Sequence, residues 1–343
     1  MNSNAKVVGL DIAKEIFVAV GIDEKGKVVF KKKLYRSEVL AFFANLSSMA
    51  IGIEACAGAH YWARELNKLG HDAKLIAAQH VKPFVSGSKN DGNDAQAIAE
   101  IRSRASTKYV AINTEAQQDM QMLHRARSAL MTERKGLICR IRAFAGEYGK
   151  VFPKGVAKFR AGFSEWLADD DNGLSGMALT SLRELLTQLD DKDERLKTYD
   201  RRIGEIAKTE VRAQRLMKVP GIGPLIATAI LAAVADPRHF DSGRDLSANL
   251  GIVPRQHSSG GKERLFGITK RGDVYLRTLL IHGARSALRT AGEKRDRILR
   301  WAAKLQERKG ARLAAVALAN KLARIVWALL AHDRDYQPTY GQV

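Results

Sequence analysis

Apolar positions in the first hundred residues come in short runs, and helical spacing appears between them. Residues 6–12 and 16–22 are apolar stretches, and 27–35 alternates polar with apolar positions. The cluster Asp23-Glu24-Lys25-Gly26 supplies a turn before the third run, so three consecutive antiparallel strands are the economical reading. Val39, Leu40, Phe43 and Leu46 behind Ser37 predict a helix over 37–46. A strand over 49–53, a helix over 61–69 stopped by Gly70, a strand over 73–78 and a helix over 93–104 follow. A meander followed by βαβ crossovers defines a mixed sheet flanked by helices.

Beyond Thr114 the texture changes to long helices. A proline-free stretch over 116–148 carries Met120, Leu123, Leu130, Leu137, Ile141 and Phe144 at helical intervals, and Gly149 and Pro153 end it. The run Asp169-Asp170-Asp171-Asn172-Gly173 marks a second break. Over 175–217, Leu182, Leu185, Leu189, Leu196, Tyr199, Ile203 and Ile206 repeat in steps of three and four. This is a coiled-coil-like seam of about three heptads, interrupted by polar Lys192 or Asp193. Two partners suit it equally: the preceding helix in an antiparallel hairpin, or a second chain. From Val219 a third, mostly helical unit begins, with a Gly/Ser-rich loop over 256–261.

Composition narrows the class. With 45% hydrophobic residues in 343, the chain can fill two or three domain cores and is not wholly disordered. No uninterrupted apolar run reaches the roughly 18 residues of a membrane span, and the N-terminus lacks the regions of a secretory leader. Cys56 and Cys139 can neither staple a scaffold nor offer metal-ligand spacing, so a reducing, cytoplasmic setting is expected. Charge changes the picture more. Lys and Arg number 57 against 37 Asp and Glu, a formal +20 that favours nucleic acid first and membrane surface second. Between Arg285 and Arg334 there are thirteen Lys or Arg and four acids, nine of the twenty excess charges. In that segment Leu313, Val316, Leu318, Leu322, Ile325 and Leu329 mark the buried face of an amphipathic helix.

The candidate chemistry begins with acids that interrupt apolar strands. Asp11 stands near the end of the first strand and Glu54 at the end of 51–54. A carboxylate there is costly to desolvate unless it meets a cation or donors. Asp91 and Asp94 are three apart at a helix start, in Lys89-Asn90-Asp91-Gly92-Asn93-Asp94-Ala95, where one face and the helix dipole favour them together. Four such carboxylates can hold two Mg²⁺ about 4 Å apart, an arrangement that supports phosphoryl transfer on nucleic acids. Singly, each acid reads as a cap or an ion-pair partner. The order Asp, Glu, Asp-x-x-Asp on a three-strand meander is specific to a ribonuclease-H-like frame and favours the metal site.

Two further features lie in the third unit. Val219-Pro220-Gly221-Ile222-Gly223-Pro224, between two apolar helices, resembles a helix-hairpin-helix, whose backbone N–H groups hold a phosphate without reading sequence. Arg255-Gln256-His257-Ser258-Ser259-Gly260-Gly261-Lys262-Glu263-Arg264 places two hydroxyls among Arg255, His257, Lys262 and Arg264. From the residues alone this is an ordinary loop contacting backbone phosphates; a serine nucleophile with His257 as base is the sharper alternative.

Together these residues resemble a family. Gly-Leu-Asp11-Ile-Ala-Lys, Ile-Glu54-Ala, Lys-Asn-Asp91-Gly-Asn-Asp94-Ala, Pro-Gly221-Ile-Gly223, Gly-Ile-Val-Pro-Arg255 and Ile-Thr-Lys270-Arg271-Gly-Asp-Val-Tyr-Leu-Arg277 look like the DEDD transposases of bacterial insertion sequences. The chain is similar to insertion-sequence family one-hundred-ten, most of all its eleven-eleven group, with the Piv invertase as a relative. The resemblance runs from about Val7 to Leu330.

It implies an α/β plus all-α architecture. A RuvC-like, RNase H-like domain over 1–112 would bind Mg²⁺, two ions per site, through Asp11, Glu54, Asp91 and Asp94. A long-helix, coiled-coil-like region over 113–215 would follow, then a transposase domain over 216–335 with a helix-hairpin-helix-like motif, and a tail over 336–343. The family's nucleophilic serine maps onto Ser259, with Ser258 beside it. Gly221, Gly223, Arg255, His257, Lys262, Arg264, Lys270, Arg271 and Arg277 would contact nucleic acid. The implied activity is RNA-guided DNA recombination through a 5′-phosphoserine. Its partners would be a non-coding bridge RNA, target and donor DNA, and further copies of the chain as dimer and tetramer, with no membrane. A cytoplasmic, nucleoid-associated location fits. Two alternatives stand beside it: a RuvC-like, Mg²⁺-dependent junction resolvase or nuclease with water as nucleophile, and a non-catalytic nucleic-acid-binding protein.

Overall fold

The structure, a computed structural model, describes residues 4–85, 90–234, 236–290 and 296–339. Lys89 of the helix-start motif, and Glu293, Lys294 and Arg295 of the basic run, lie outside the described residues. The chain divides into two compact units, Met1–Thr114 and Glu115–Val343.

The first unit is built on one mixed sheet. Its strands are β1 (Val7–Asp11), β2 (Ile16–Ile22), β3 (Val28–Tyr35), β4 (Ala50–Glu54), β5 (Asp72–Ile76) and β6 (Tyr109–Val110). Their order is β3-β2-β1-β4-β5-β6, with β1, β4 and β5 parallel to one another and β2, β3 and β6 antiparallel to their neighbours. This is the mixed sheet expected of an RNase H-like unit. Helices α1 (Val39–Ala44), α2 (Ala59–Lys68), α3 (Ala78–Val81) and α4 (Asp91–Arg102) complete it. Period-two alternation decides the faces. Val8, Leu10, Phe17, Ala19, Ile51 and Ile53 pack with Val39, Phe43, Trp62 and Leu66 of α1 and α2. Val18, Val20 and Ile22 meet Ala95 and Ala99 of α4 on the other side. Strand β6 was not readable: two residues give no period.

The second unit is helical. It contains α5 (Glu115–Glu147), α6 (Val156–Ala168), α7 (Gly176–Thr209), α8 (Val211–Met217), α9 (Pro224–Ala233), α10 (Gly243–Asn249), the ribbon β7 (Pro254–Gln256) and β8 (Leu265–Ile268), then α11 (Val274–Arg289), α12 (Arg297–Lys309) and α13 (Ala311–Ala331). The expected helix over 175–217 breaks at Glu210, whose carboxylate accepts the Arg212 N–H and caps α8.

The heptad seam packs within the chain. Leu182, Leu189, Leu196 and Ile203, one per heptad, are all buried within the chain. Leu182 and Leu189 share a core with Leu137, Ile141 and Ala145 of α5 and with Phe159, Phe163 and Trp166 of α6. Lys192 and Asp193, which interrupt the seam, pair with Glu133 and Arg134, and Asp200 pairs with Arg127. Residue numbers rise on α7 as they fall on α5, so the two helices form an antiparallel hairpin.

Helix α13 is long and apolar enough to cross a membrane by length and composition, although Arg312, Lys321 and Arg324 break its apolar run. Here it is a core helix against α10, α11 and α12, with Ala315, Leu318, Leu322 and Val326 buried. Leu313 was expected inside and is 52% exposed: Ala314, Ala315, Leu318, Leu322 and Val326 define the buried face, and at about 100° per residue Leu313 points to the opposite side. Of the tail, residues 336–339 are described: the Tyr336 hydroxyl donates to Asp296 Oδ2 at 2.7 Å and the Arg297 N–H to the Pro338 carbonyl at 3.2 Å.

Candidate active site

The acids reach one face through alternation. Leu10 and Ile53 are register partners across the parallel β1–β4 pair and point to the α1–α2 side, so Asp11 and Glu54, one residue on, point to the α4 side. Two glycines let α4 lie close to this face. A Cβ at Gly9 would overlap the Ala95 carbonyl of α4, and one at Gly52 would stand 2.9 Å from Arg102 Cβ and 3.0 Å from Ile98. Each glycine precedes its acid by two, so Gly-x-Asp and Gly-x-Glu are a paired device: bare backbone under the helix, carboxylate at its N-terminal end. The repeated Gly-x-acid spacing is legible in the sequence, although neither glycine carries polarity to mark it. The Asn90 side chain accepts the Asn93 N–H at 3.0 Å and starts α4, placing Asp91 and Asp94 in its first turn.

Glu54, Asp91 and Asp94 all lie within electrostatic reach of Asp11. The Asp11 carboxyl is pushed up from 3.8 to about 6, first by burial and then by the charges of Asp91, Asp94 and Glu54. Burial, with Glu54 and Asp11, also raises the Cys56 thiol, a neighbour the sequence did not indicate. Lys31, aligned with Val20, lies on the same face and reaches the first turn of α4 across the side-chain-free Gly92. Among the described residues, no three of His, Cys, Asp or Glu form a ready metal cage. The donor set still fits magnesium: hard carboxylate oxygens, repelling one another, that would keep several waters on the ion.

The serines lie in the second unit, on a hairpin and not in a loop. Pro254 pairs with Ile268 and Gln256 with Leu265, and Ser259 bridges to Lys262. Gly260 and Gly261 have φ of +57° and +74°, so both central residues of the turn need the left-handed region, as in a type I′ hairpin. Ser258 is tied into the ribbon, its hydroxyl accepting from Gln256 Nε2 at 2.8 Å and from the Arg264 N–H at 3.4 Å. The Ser259 hydroxyl has no protein partner among the described residues and is exposed at the tip. Arg255, His257, Lys262, Arg264, Lys270 and Arg271 are all exposed around it or at its base. His257 turns its ring edge to Phe266, centroids 5.8 Å apart, and makes no hydrogen bond to either serine.

Arg277 corrects an expectation. It is only 7% exposed, and its Nη1 donates to the carbonyls of Leu250 and Arg271, both at 2.9 Å. It clamps the two ends of the ribbon and presents no charge to a ligand. Gly221 is also spent on packing: φ is +86°, and a Cβ would come 2.6 Å from the Gly283 carbonyl of α11. Gly223 caps α9 with open space beside it.

A mixed sheet with clustered carboxylates at its strand ends, followed by a basic helical unit, defines a polynucleotide-processing enzyme. Comparison with known proteins gives the family. A DEDD transposase family model matches residues 8–149, and that of the IS116/IS110/IS902 transposase family matches 213–299. A probable family 20 transposase of Pseudomonas aeruginosa is 44% identical over 98% of this chain and 99% of its own length. The transposase for insertion sequence element IS1111A of Coxiella burnetii is 44% identical over 97% and 91%, and that for IS1328 of Yersinia enterocolitica 36% over 95% and 97%. The chain belongs to the IS110 family of insertion-sequence transposases: it is a DNA transposase, and its substrate is DNA.

Proposed function

We propose that this transposase cuts and rejoins DNA through a covalent 5′-phosphoserine on Ser259. The observation that carries this reading is the free, exposed Ser259 hydroxyl at the tip of a basic hairpin, beside a Ser258 that is already bonded. The Ser259 oxygen attacks the phosphorus, the bond to the 3′-oxygen breaks, and the serine proton ends on the released 3′-hydroxyl. Attack by a 3′-hydroxyl of the exchanged strand on the phosphoserine reverses the step. The energy of the phosphodiester is kept for religation, which suits recombination. Arg255, Lys262 and Arg264 hold the phosphate, and the Gly223 side of the Gly221–Gly223 turn, where α9 begins beside open space, takes a backbone phosphate.

Asp11, Glu54, Asp91 and Asp94 would hold Mg²⁺, which when bound orients the phosphate and stabilises the charge that develops on it. The +20 charge supports a structured guide RNA beside target and donor DNA as partners, since all three are held by their backbones. A cytoplasmic, nucleoid-associated location follows from such partners. Dimers and tetramers would assemble through surfaces other than the Leu182–Ile203 seam, which is already buried within the chain.

Trapping tests the reading. The protein is incubated with cognate DNA, RNA and Mg²⁺, denatured, and resolved for a protein–DNA adduct. The adduct should persist in Ser258→Ala and vanish in Ser259→Ala. Efficient cleavage with no adduct in the unaltered chain would instead establish water as the nucleophile. Asp11→Ala or Asp94→Ala should abolish strand transfer and leave RNA binding intact.

A further inference from the structure

The second unit contains a cleft of ≈ 1150 Å³ between α10, α12, α13 and the strap of residues 332–338, and none of the ribbon residues lines it. It is larger than most small-molecule sites. Helix α13 lies beyond residue 299, where the second family match ends.

The floor is apolar and aromatic, with Trp301 from α12 and Ile325 and Trp327 from α13. Trp327 is fixed, its indole N–H donating to the carbonyls of Pro237 at 2.9 Å and Phe240 at 3.2 Å. The rim is cationic. Arg244 comes from α10, and Lys321 and Arg324 from α13. Lys321 Nζ stands 3.8 Å from the Trp301 ring centroid. None of these three cations has a carboxylate partner among the described residues. Asp335, the carboxylate that lines the cleft, is engaged by Lys218 at 3.0 Å and Arg215 at 3.5 Å. Burial first, then the charges of Arg324 and Arg297, hold the Lys321 ammonium below the usual lysine range.

Uncompensated cations over an apolar floor fit an anion that also has a flat apolar face. In a duplex the base faces are hidden by stacking; an unpaired nucleotide offers both the face and the phosphate. We infer that this cleft holds an unpaired nucleotide of a single-stranded segment, its phosphate among Arg244, Lys321 and Arg324 and its base on the floor of Ile325 and Trp327. The inference rests on the chain being a nucleic-acid enzyme and is independent of the serine and metal chemistry.

The test uses the full chain carrying Ser259→Ala, so that no covalent product forms. Binding of a fluorescein-labelled oligothymidylate of about 12 nucleotides is followed by anisotropy, beside a blunt duplex of the same length. Lys321→Ala combined with Arg324→Ala should weaken the single strand roughly tenfold or more and the duplex less than about twofold. Lys321→Gln should keep the fold and give a smaller loss in the same direction, and thymidine monophosphate should compete better than inorganic phosphate. Equal losses for single strand and duplex, no loss for either, or competition by phosphate as strong as by the nucleotide would overturn the inference. Failure of the serine reading would show in the adduct assay and leave these affinities untouched.

Discussion

The carboxylate cluster and the serine ribbon hold their functional groups by opposite means. Asp11 and Glu54 are fixed by the sheet register and by two glycines that bring α4 against bare backbone, so the half-buried cluster is seated at the edge of a core. Ser259 stands on an exposed two-stranded hairpin whose order comes from a Gly-Gly turn at its tip and the Arg277 clamp at its base. Crowded carboxylates require a rigid frame, because their repulsion would otherwise open it. A nucleophile that must reach DNA requires exposure instead.

Substitutions can break this contrast. The largest effect is expected at Gly9: Gly9→Val cannot coexist with α4 in place and should cost about 3 kcal/mol or more in denaturant unfolding, whereas Gly260→Ala at the open turn should cost about 1 kcal/mol. Comparable losses would mean that the two sites are held alike. Acid should act next, on the frame under the ribbon. His124 is buried between the hydroxyls of Tyr275 and Thr228, each at 3.0 Å, and burial, then Arg127, holds its ring down to about 4 from 6.5. The unfolded chain binds this proton more tightly, so stability should fall as pH drops from 6.5 towards 4, by about 3 kcal/mol in total. Thermal melts of His124→Gln should lack that component.

Arg277→Ala leaves one buried and one part-buried carbonyl without their donor and should cost about 2 kcal/mol, with chemical-shift changes concentrated in 250–272. Asp11→Asn should go the other way. Its carboxyl titrates above the ordinary value, so ionisation at neutral pH opposes folding, and neutralising it should stabilise the metal-free protein by about 1–2 kcal/mol while abolishing strand transfer. A melting temperature lowered by this change would show that the acids are structural. Ser259→Ala is the smallest: stability should stay within about 0.5 kcal/mol while the covalent adduct disappears.

Much of the first unit was legible because its strands are long enough to alternate. Asp11 and Glu54 stood out because each is a charge inside an apolar run. Positions Gly9 and Gly52 were as visible but carry no polarity, so their part in seating α4 emerges only with the helix in place. The ribbon was illegible for another reason: β7 and β8 are exposed on both faces, so no apolar alternation marks them, and only Gly260-Gly261 signals the turn. Helix α6 was passed over between two breaks, although Phe159, Phe163, Trp166 and Leu167 have helical spacing. Charge type also misled at Arg277, since a buried arginine that donates to carbonyls has the same sequence signature as one that meets phosphate.

The antiparallel pairing of α5 with α7 has a geometric consequence. A helix of 33 residues is about 50 Å long, close to the axial length of about 15 base pairs of DNA. Because buried leucines recur every seventh residue, this arm can change length only in whole heptads, each about 10 Å. Any other insertion or deletion turns the seam out of register with α5 and uncouples Lys192 and Asp193 from Glu133 and Arg134. The hairpin is therefore a ruler with discrete graduations, and related chains with arms of different length should differ by multiples of seven residues in both helices at once.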